Sequence, residues 1–314
     1  MKKQTLPFAL ALCFCGLAFY LMLTGCARPA PDTAVKIDSE FSRSMTAGRL
    51  AFDQGLIEQA ARFYQQALRR ARAMDNAQQI GDAAYNLAAC WIRLDQLEKA
   101  RDLLEEAETE ISSINGNTLD IQLVEAKVSW LQGNPEEALT LADQVLSSPG
   151  SYPTDNLRLQ VYLLRGQIAC DNDDAALALK DLQKAKNIAR LVSDPSLQAD
   201  ISALAGRIHL INGEPVMAAK EFDSEARLLR QAKRYPEMAH ALQNAAEAYL
   251  SAGNYNLAAD RFFRAARSTF AQGQNSAAMK LGHLALSAAD KAADESVKIR
   301  VRALLDEIEA ASGQ

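Results

Sequence analysis

The apolar positions of this chain follow a pattern that repeats. Around Ala258, Ala246 lies twelve residues before, Tyr249 nine before and Gly253 five before, with Phe262 four after and Ala265 seven after. This spacing sets apolar stripes on two helices joined by a tight turn. Ala246 and Ala258 are small where the helices must cross closely, and Tyr249 and Phe262 fill the space around the crossing. Gly253 supplies the backbone freedom that ends the first helix.

The same grid recurs around Ala60, Ala100, Ala138, Ala178 and Ala218, at intervals of 40, 38, 40, 40 and 40 residues. Twelve before the anchors stand Gly48, Ala88, Ala126, Gly166, Gly206 and Ala246, all small. Five before stand Gly55, Asp95, Gly133, Asp173, Gly213 and Gly253, all turn formers. Four after are Tyr64, Leu104, Ala142, Leu182, Phe222 and Phe262, with Ala142 the weak member. Seven after, Glu225 is the misfit among Ala67, Ala107, Val145, Ala185 and Ala265.

This grid resembles the tetratricopeptide repeat, whose usual period is about 34 residues. The longer step is similar to the subclass with an extended second helix, and Asn86-Leu87-Ala88 and Asn244-Ala245-Ala246 resemble its Asn-Leu-Gly signature. The resemblance covers roughly residues 41–274. It implies an all-α, right-handed solenoid of about six helix pairs. After Gly273 the spacing fails, but residues 276–290 and 295–311 read as two amphipathic helices. The second carries Lys298, Arg300, Arg302, Asp306 and Glu307, as expected of a capping pair with one wet face. The expected organisation is a leader over 1–25, a tether over 26–37, the repeat array over 38–278 and the cap over 279–314.

Within the array, Asn134-Pro135-Glu136-Glu137 reads as a helix start, with Asn134 capping and Pro135 at the first position. Residues 147–155 hold Pro and Gly and read as a loop. Asp194-Pro195 and Tyr235-Pro236 break into units five and six.

The first 25 residues read as a leader. Lys2 and Lys3 precede an uncharged apolar run from Leu6 to Leu23, and Leu23-Thr24-Gly25-Cys26 follows. That tetrapeptide resembles the bacterial lipobox, which implies cleavage before Cys26 and acylation of its sulfur. The competing reading is a plain signal anchor, since the run is long enough to span a bilayer. Ala27, in place of Asp, implies sorting to the outer membrane by the enteric rule, facing the periplasm; the inner membrane and the cell surface are the other possibilities. Removing Lys2 and Lys3 with the leader leaves 32 basic and 39 acidic residues, a net charge of −7. Such a chain has no basic stripe for nucleic acid and no electrostatic help in reaching a membrane, so a lipid must anchor it. Residues 27–37 then form a tether of at most about 36–40 Å.

Hydrophobic residues make up 49% of the chain but aromatics only 6%, which suits close helix packing over a large ligand cavity. Cys13 and Cys15 would leave with the leader. Cys90 and Cys170 fall four helices apart, at about 8–10 Å per packed neighbour, and read as buried free thiols beyond disulfide reach. No phosphate loop, His-Glu-x-x-His, Cys-x-x-Cys or Gly-x-Ser-x-Gly pattern occurs, so neither an enzyme nor a cofactor or metal is expected. His209 takes an aromatic place in its unit and reads as a packed core histidine. Asp171-Asn172-Asp173-Asp174 resembles the start of a calcium loop but lacks its sixth-position glycine and twelfth-position glutamate; capping ahead of Ala175 accounts for it better.

Two rows on the first helices remain for function. Eleven before the anchors stand Arg49, Ala89, Lys127, Gln167, Arg207 and Glu247; fourteen before stand Thr46, Asn86, Val124, Leu164, Leu204 and Asn244. In the family these helices line the concave face, so Arg49, Tyr85, Asn86, Lys127, Gln167, Arg207, Asn244 and Glu247 are the candidate groove-binding residues. A polar ladder of this kind can hydrogen-bond an extended peptide; the bland alternative is solvated helix surface. Val124, Leu164 and Leu204 interrupt the ladder, either to take apolar ligand side chains or to pack within the superhelix. The resemblance implies a protein or peptide partner in the cell envelope and a tethered scaffold or assembly factor. Lipoproteins of this architecture assist secretin, pilus or β-barrel assembly or activate cell-wall synthases. A self-associating structural lipoprotein is the first alternative, and a small-ligand receptor or cell-wall enzyme regulator the second.

Overall fold

The computed structural model describes residues 38–149, 153–190 and 194–312. The lipobox, Cys26 and the tether lie outside the described residues. Fourteen helices and no strand are present among those described. They pair as α1 (Ser39–Asp53) with α2 (Ile57–Ala73), α3 (Ala77–Arg93) with α4 (Leu97–Ser113), and α5 (Leu119–Leu131) with α6 (Pro135–Ser147). The second half pairs α7 (Asp155–Asp171) with α8 (Ala175–Ala189), α9 (Pro195–Ile211) with α10 (Pro215–Gln231), and α11 (Tyr235–Ser251) with α12 (Tyr255–Ala271). A last pair follows, α13 (Asn275–Ala292) and α14 (Glu295–Ser312). The boundary drawn between 278 and 279 falls inside α13, because the turn at Gly273 already closes unit six.

The grid of small residues is a record of helix crossings. Ala60, Ala100, Ala138, Ala178, Ala218 and Ala258 are all fully buried. At Gly206 a Cβ would stand 2.6 Å from the Phe222 ring, and at Gly48 it would stand 2.8 Å from the Tyr64 ring. Glycine there lets the first helix of the unit lie directly on the aromatic of the second. Gly166 differs: its neighbour at 2.6 Å is Leu204 of the following unit, so this glycine serves the joint between units.

The turn grid is equally literal. All six residues five before the anchors have positive φ, from 56° at Asp95 to 85° at Gly133. A second set, Asp75, Asn115, Lys233 and Gly273, has the same left-handed geometry between units. One residue in this conformation halts a helix and reverses the chain within three positions. Asn76 caps α3 by accepting from the Gln79 amide at 3.1 Å, which sets its start at Ala77. Asp174 caps α8 by accepting from the Leu177 amide at 2.9 Å, as the Asp171–Asp174 run suggested. Asn134 does precede α6, but its side chain caps nothing; Pro135 at the first position lacks an amide hydrogen and already relieves that end.

Four apolar clusters run along the array, and the last carries into the terminal pair through Val297, Val301, Leu304, Leu305 and Ile308. On the outer side of α14, Ile299 is 66% exposed. Cys90 and Cys170 are buried free thiols; burial pushes the Cys90 thiol up to about 12. No described helix is long and apolar enough to cross a membrane.

Candidate functional site

The candidate groove residues divide into those the fold already uses and those it leaves available. Asn86 Nδ2 donates to the Asp82 carbonyl at 2.7 Å, one turn back in α3. Asn244 Nδ2 meets His240 Nδ1 at 3.3 Å within α11. Glu247 is exposed and accepts from Gln243 Nε2 at 2.8 Å. Arg207 pairs with Asp171 of the preceding unit, and Asp171 also accepts from Trp130 Nε1 at 2.7 Å. The polar ladder is thus partly satisfied from within. Tyr85 and Gln167 are half-buried, and burial followed by the nearby Asp120 raises the Tyr85 phenol. Arg49 is exposed on α1.

Leu164 is 6% exposed and Leu204 fully buried, so this part of the fourteen-before row packs the superhelix and is closed to a ligand. His209 departs from the expected core histidine. Its side chain is 27% exposed, and Nδ1 lies 2.6 Å from Glu214 Oε2 across the turn between α9 and α10. At the last turn of the helix, an imidazole finds a polar partner that the interior would deny it.

Lys127 is the candidate that the fold gathers into a site. It is open to solvent on α5, yet enough protein surrounds it that burial lowers its pKa. Asp200 of α9 counters this attractively, while Arg234, at the start of α11, and Arg93, at the end of α3, add to it. These residues come from units two, three, five and six. A direct bond ties the group: Arg93 Nη1 donates to Glu237 Oε1 at 2.7 Å, across 144 positions of sequence. Arg234 reaches the same carboxylate at 3.5 Å and Asp200 at 3.9 Å. Burial works against the charged form of Glu237, but its own backbone amide and Arg93 outweigh it and hold its pKa below the usual value.

Glu225, the misfit of the repeat grid, belongs to the same neighbourhood. Burial, then the Asp200 charge, pushes its carboxyl up to about 8 against the pull of Arg234. Its Oε2 has no hydrogen-bond partner. A carboxyl so placed keeps its proton near neutral pH. The local balance is then three cations, Arg93, Lys127 and Arg234, against the two carboxylates Asp200 and Glu237. Sequence reasoning missed all of these except Lys127. Arg93, Asp200, Arg234 and Glu237 share no row of the grid. Only Glu225, by breaking its row, carried a signal.

A different acidic patch lies between α4, α5 and α6, where Glu105, Glu125, Glu137 and Arg101 rim a cavity of about 250 Å³ floored by Leu104, Val128 and Leu141. Burial, followed by Glu108, pushes Glu125 up to about 7. No group of His, Cys, Asp or Glu that could hold a metal occurs among the described residues.

Paired helices stacked at a forty-residue step, with charged side chains of distant units turned toward one another, define a helical-repeat solenoid. A family model described as the tetratricopeptide repeat matches residues 45–113. No curated protein matches the chain. Among solved structures, the Rap conjugation gene regulator of the plasmid pLS20, in complex with the Phr* peptide, aligns with a TM-score of 0.64 at 14% identity, covering 98% of this chain and 87% of that one. NprR in complex with its cognate peptide NprX aligns at 0.59 and 13% identity, over 93% and 83% of the two chains. PilW, a widely conserved type IV pilus biogenesis factor, aligns at 0.50 and 16% identity, over 72% and 91%. At these identities the likeness is one of fold.

Proposed function

We propose that the chain is a binding scaffold of the bacterial cell envelope, anchored by acylation of Cys26, that holds an extended segment of a protein partner along the first helices of its units. The observation that carries this reading is Lys127: a cation set among protein, open to solvent, beside charges drawn from three other units. Solenoid packing needs no such group, and placing it there costs solvation free energy. An extended ligand lying along the interior would meet Arg49, Lys127 and Arg207 in succession. The peptide complexes of the Rap regulator and NprR are consistent with such a ligand on this fold. The leader and lipobox rest on the Lys2–Cys26 pattern and the outer-membrane placement on Ala27.

Photo-crosslinking residues placed at Lys127 and Gln167, with Lys180 on α8 as an outer-surface control, test the groove in cells. The expected result is one partner trapped from both inner positions, with capture from Gln167 lost when Arg49, Lys127 and Arg207 are changed together to Glu in a folded protein. The same partner trapped equally from Lys180 and unaffected by the triple change would refute the groove. For the anchor, Cys26→Ala is expected to abolish fatty-acid labelling and membrane retention; a variant still labelled and retained excludes acylation at Cys26.

A further inference from the structure

The bond between Arg93 and Glu237 is unlike the others in the array. The remaining ion pairs described join the same or the next unit, as Arg72 to Glu106, 34 residues on, and Arg261 to Asp223, 38 back; the hydrogen bond from Trp130 to Asp171, 41 on, does likewise. Arg93 to Glu237 skips units three to five. Its two residues sit at the loose ends of their helices: Arg93 is the last residue of α3, and Glu237 lies in the first turn of α11. Arg234, the residue before α11, braces the carboxylate from its own side. Neither partner is deeply buried, the side chains being 39% and 26% exposed.

We propose that Arg93 and Glu237 form a latch across the mouth of the solenoid, which holds unit two against unit six and gates entry to the interior that Lys127 faces. The gating role rests on the groove reading above; the latch itself does not. Units two and six otherwise belong to separate apolar clusters. Among the described hydrogen bonds and ion pairs, Arg93–Glu237 is the one that bridges the two. A partly exposed ion pair shifts an opening equilibrium by no more than about five-fold. The latch is therefore weak enough to open thermally and salt-sensitive enough to be seen doing so. Lys127 needs no movement of its own helix to meet a ligand once the latch opens.

The test uses the full-length protein in detergent micelles. Spin labels at Gln96→Cys and Gln231→Cys, both exposed, report the distance between the α3–α4 turn and the end of α10. The buried thiols Cys90 and Cys170 provide the unlabelled control. The expected result is a distance distribution that broadens to longer values in Glu237→Gln, in Arg93→Gln and in wild type at high salt. The reversed pair, Arg93→Glu with Glu237→Arg, is expected to restore the short distance at low salt. Separately, Lys127→Cys is expected to react with a bulky maleimide two- to five-fold faster when Glu237→Gln is added. Distributions unchanged by either single change and by salt would overturn the latch. Distances that lengthen while the maleimide rate stays constant would overturn the gate. Wild-type salt titration carries the test even if a variant fails to fold. Failure of the groove reading would appear only in the crosslinking experiment.

Discussion

Replacing Glu225 by Gln is expected to make the protein more stable at neutral pH and to leave it nearly unchanged at pH 5. Glu225 sits seven after Ala218, where the other units bury Ala or Val, and its carboxyl titrates near 8 in the fold. The unfolded carboxyl titrates near about 4.3. Between these values the folded chain keeps a proton that the unfolded chain has released. The folded state therefore loses stability as pH rises from about 4.3 toward 8, and the loss levels off above. Each pH unit in that window costs about 1.4 kcal/mol, giving a ceiling of about 3 kcal/mol between pH 5 and pH 7.5. Glu225 is only half-buried and has Arg234 within range, so screening reduces the expected difference to about 1–2 kcal/mol. Glutamine has the shape and polarity of the protonated acid but does not titrate. Urea unfolding of both proteins at pH 5 and pH 7.5 measures the effect as a difference of differences, with equal denaturant slopes as the two-state check. A Gln variant that parallels wild type at both pH values would refute the argument, because the carboxyl would then ionise freely in the fold.

Three further outcomes follow from the packing. Gly206→Ala would put a methyl 2.6 Å from the Phe222 ring and is expected to cost about 1–3 kcal/mol in thermal or urea unfolding. Ala293 holds a left-handed φ of 53° at the end of α13; Ala293→Gly is expected to stabilise by about 0.5–1 kcal/mol, reversing the usual penalty of glycine. Asp181 is wholly buried beside Arg165, which also pairs with Asp143, so Asp181→Asn is expected to cost about 2–4 kcal/mol. A near-neutral result in chemical denaturation would show that the Asp143 pair alone suffices for Arg165.

The fold was legible because its constraints are steric and local. A helix crossing admits only a small side chain, so Gly48, Ala88 and Gly206 announce their positions whatever surrounds them. A left-handed turn favours Gly, Asp or Asn, and all six turn residues could be aligned by that preference before any geometry was known. The site was far less legible. Arg93 and Glu237 are 144 residues apart, which is no multiple of the repeat, and an ion pair leaves no periodic trace. The ladder was incompletely legible for a related reason. Asn86 and Asn244 look available in a one-dimensional row, but each can satisfy itself one helical turn back. Surface polarity marks where water or ligand can reach, while the choice between ligand and self depends on geometry that the row does not encode. His209 shows the same limit: occupying an aromatic's position did not bury it, because Glu214 stood within hydrogen-bond range.

The bond from α3 to α11 also fixes how the molecule would grow. Its span of 144 positions is fewer than four steps of forty residues. A spiral that comes round so soon gains height, not breadth, with each added step. Duplicating a unit would start a second storey above the first and leave the footprint on a supporting surface unchanged. On the groove reading proposed above, it would lengthen the surface offered to an extended partner.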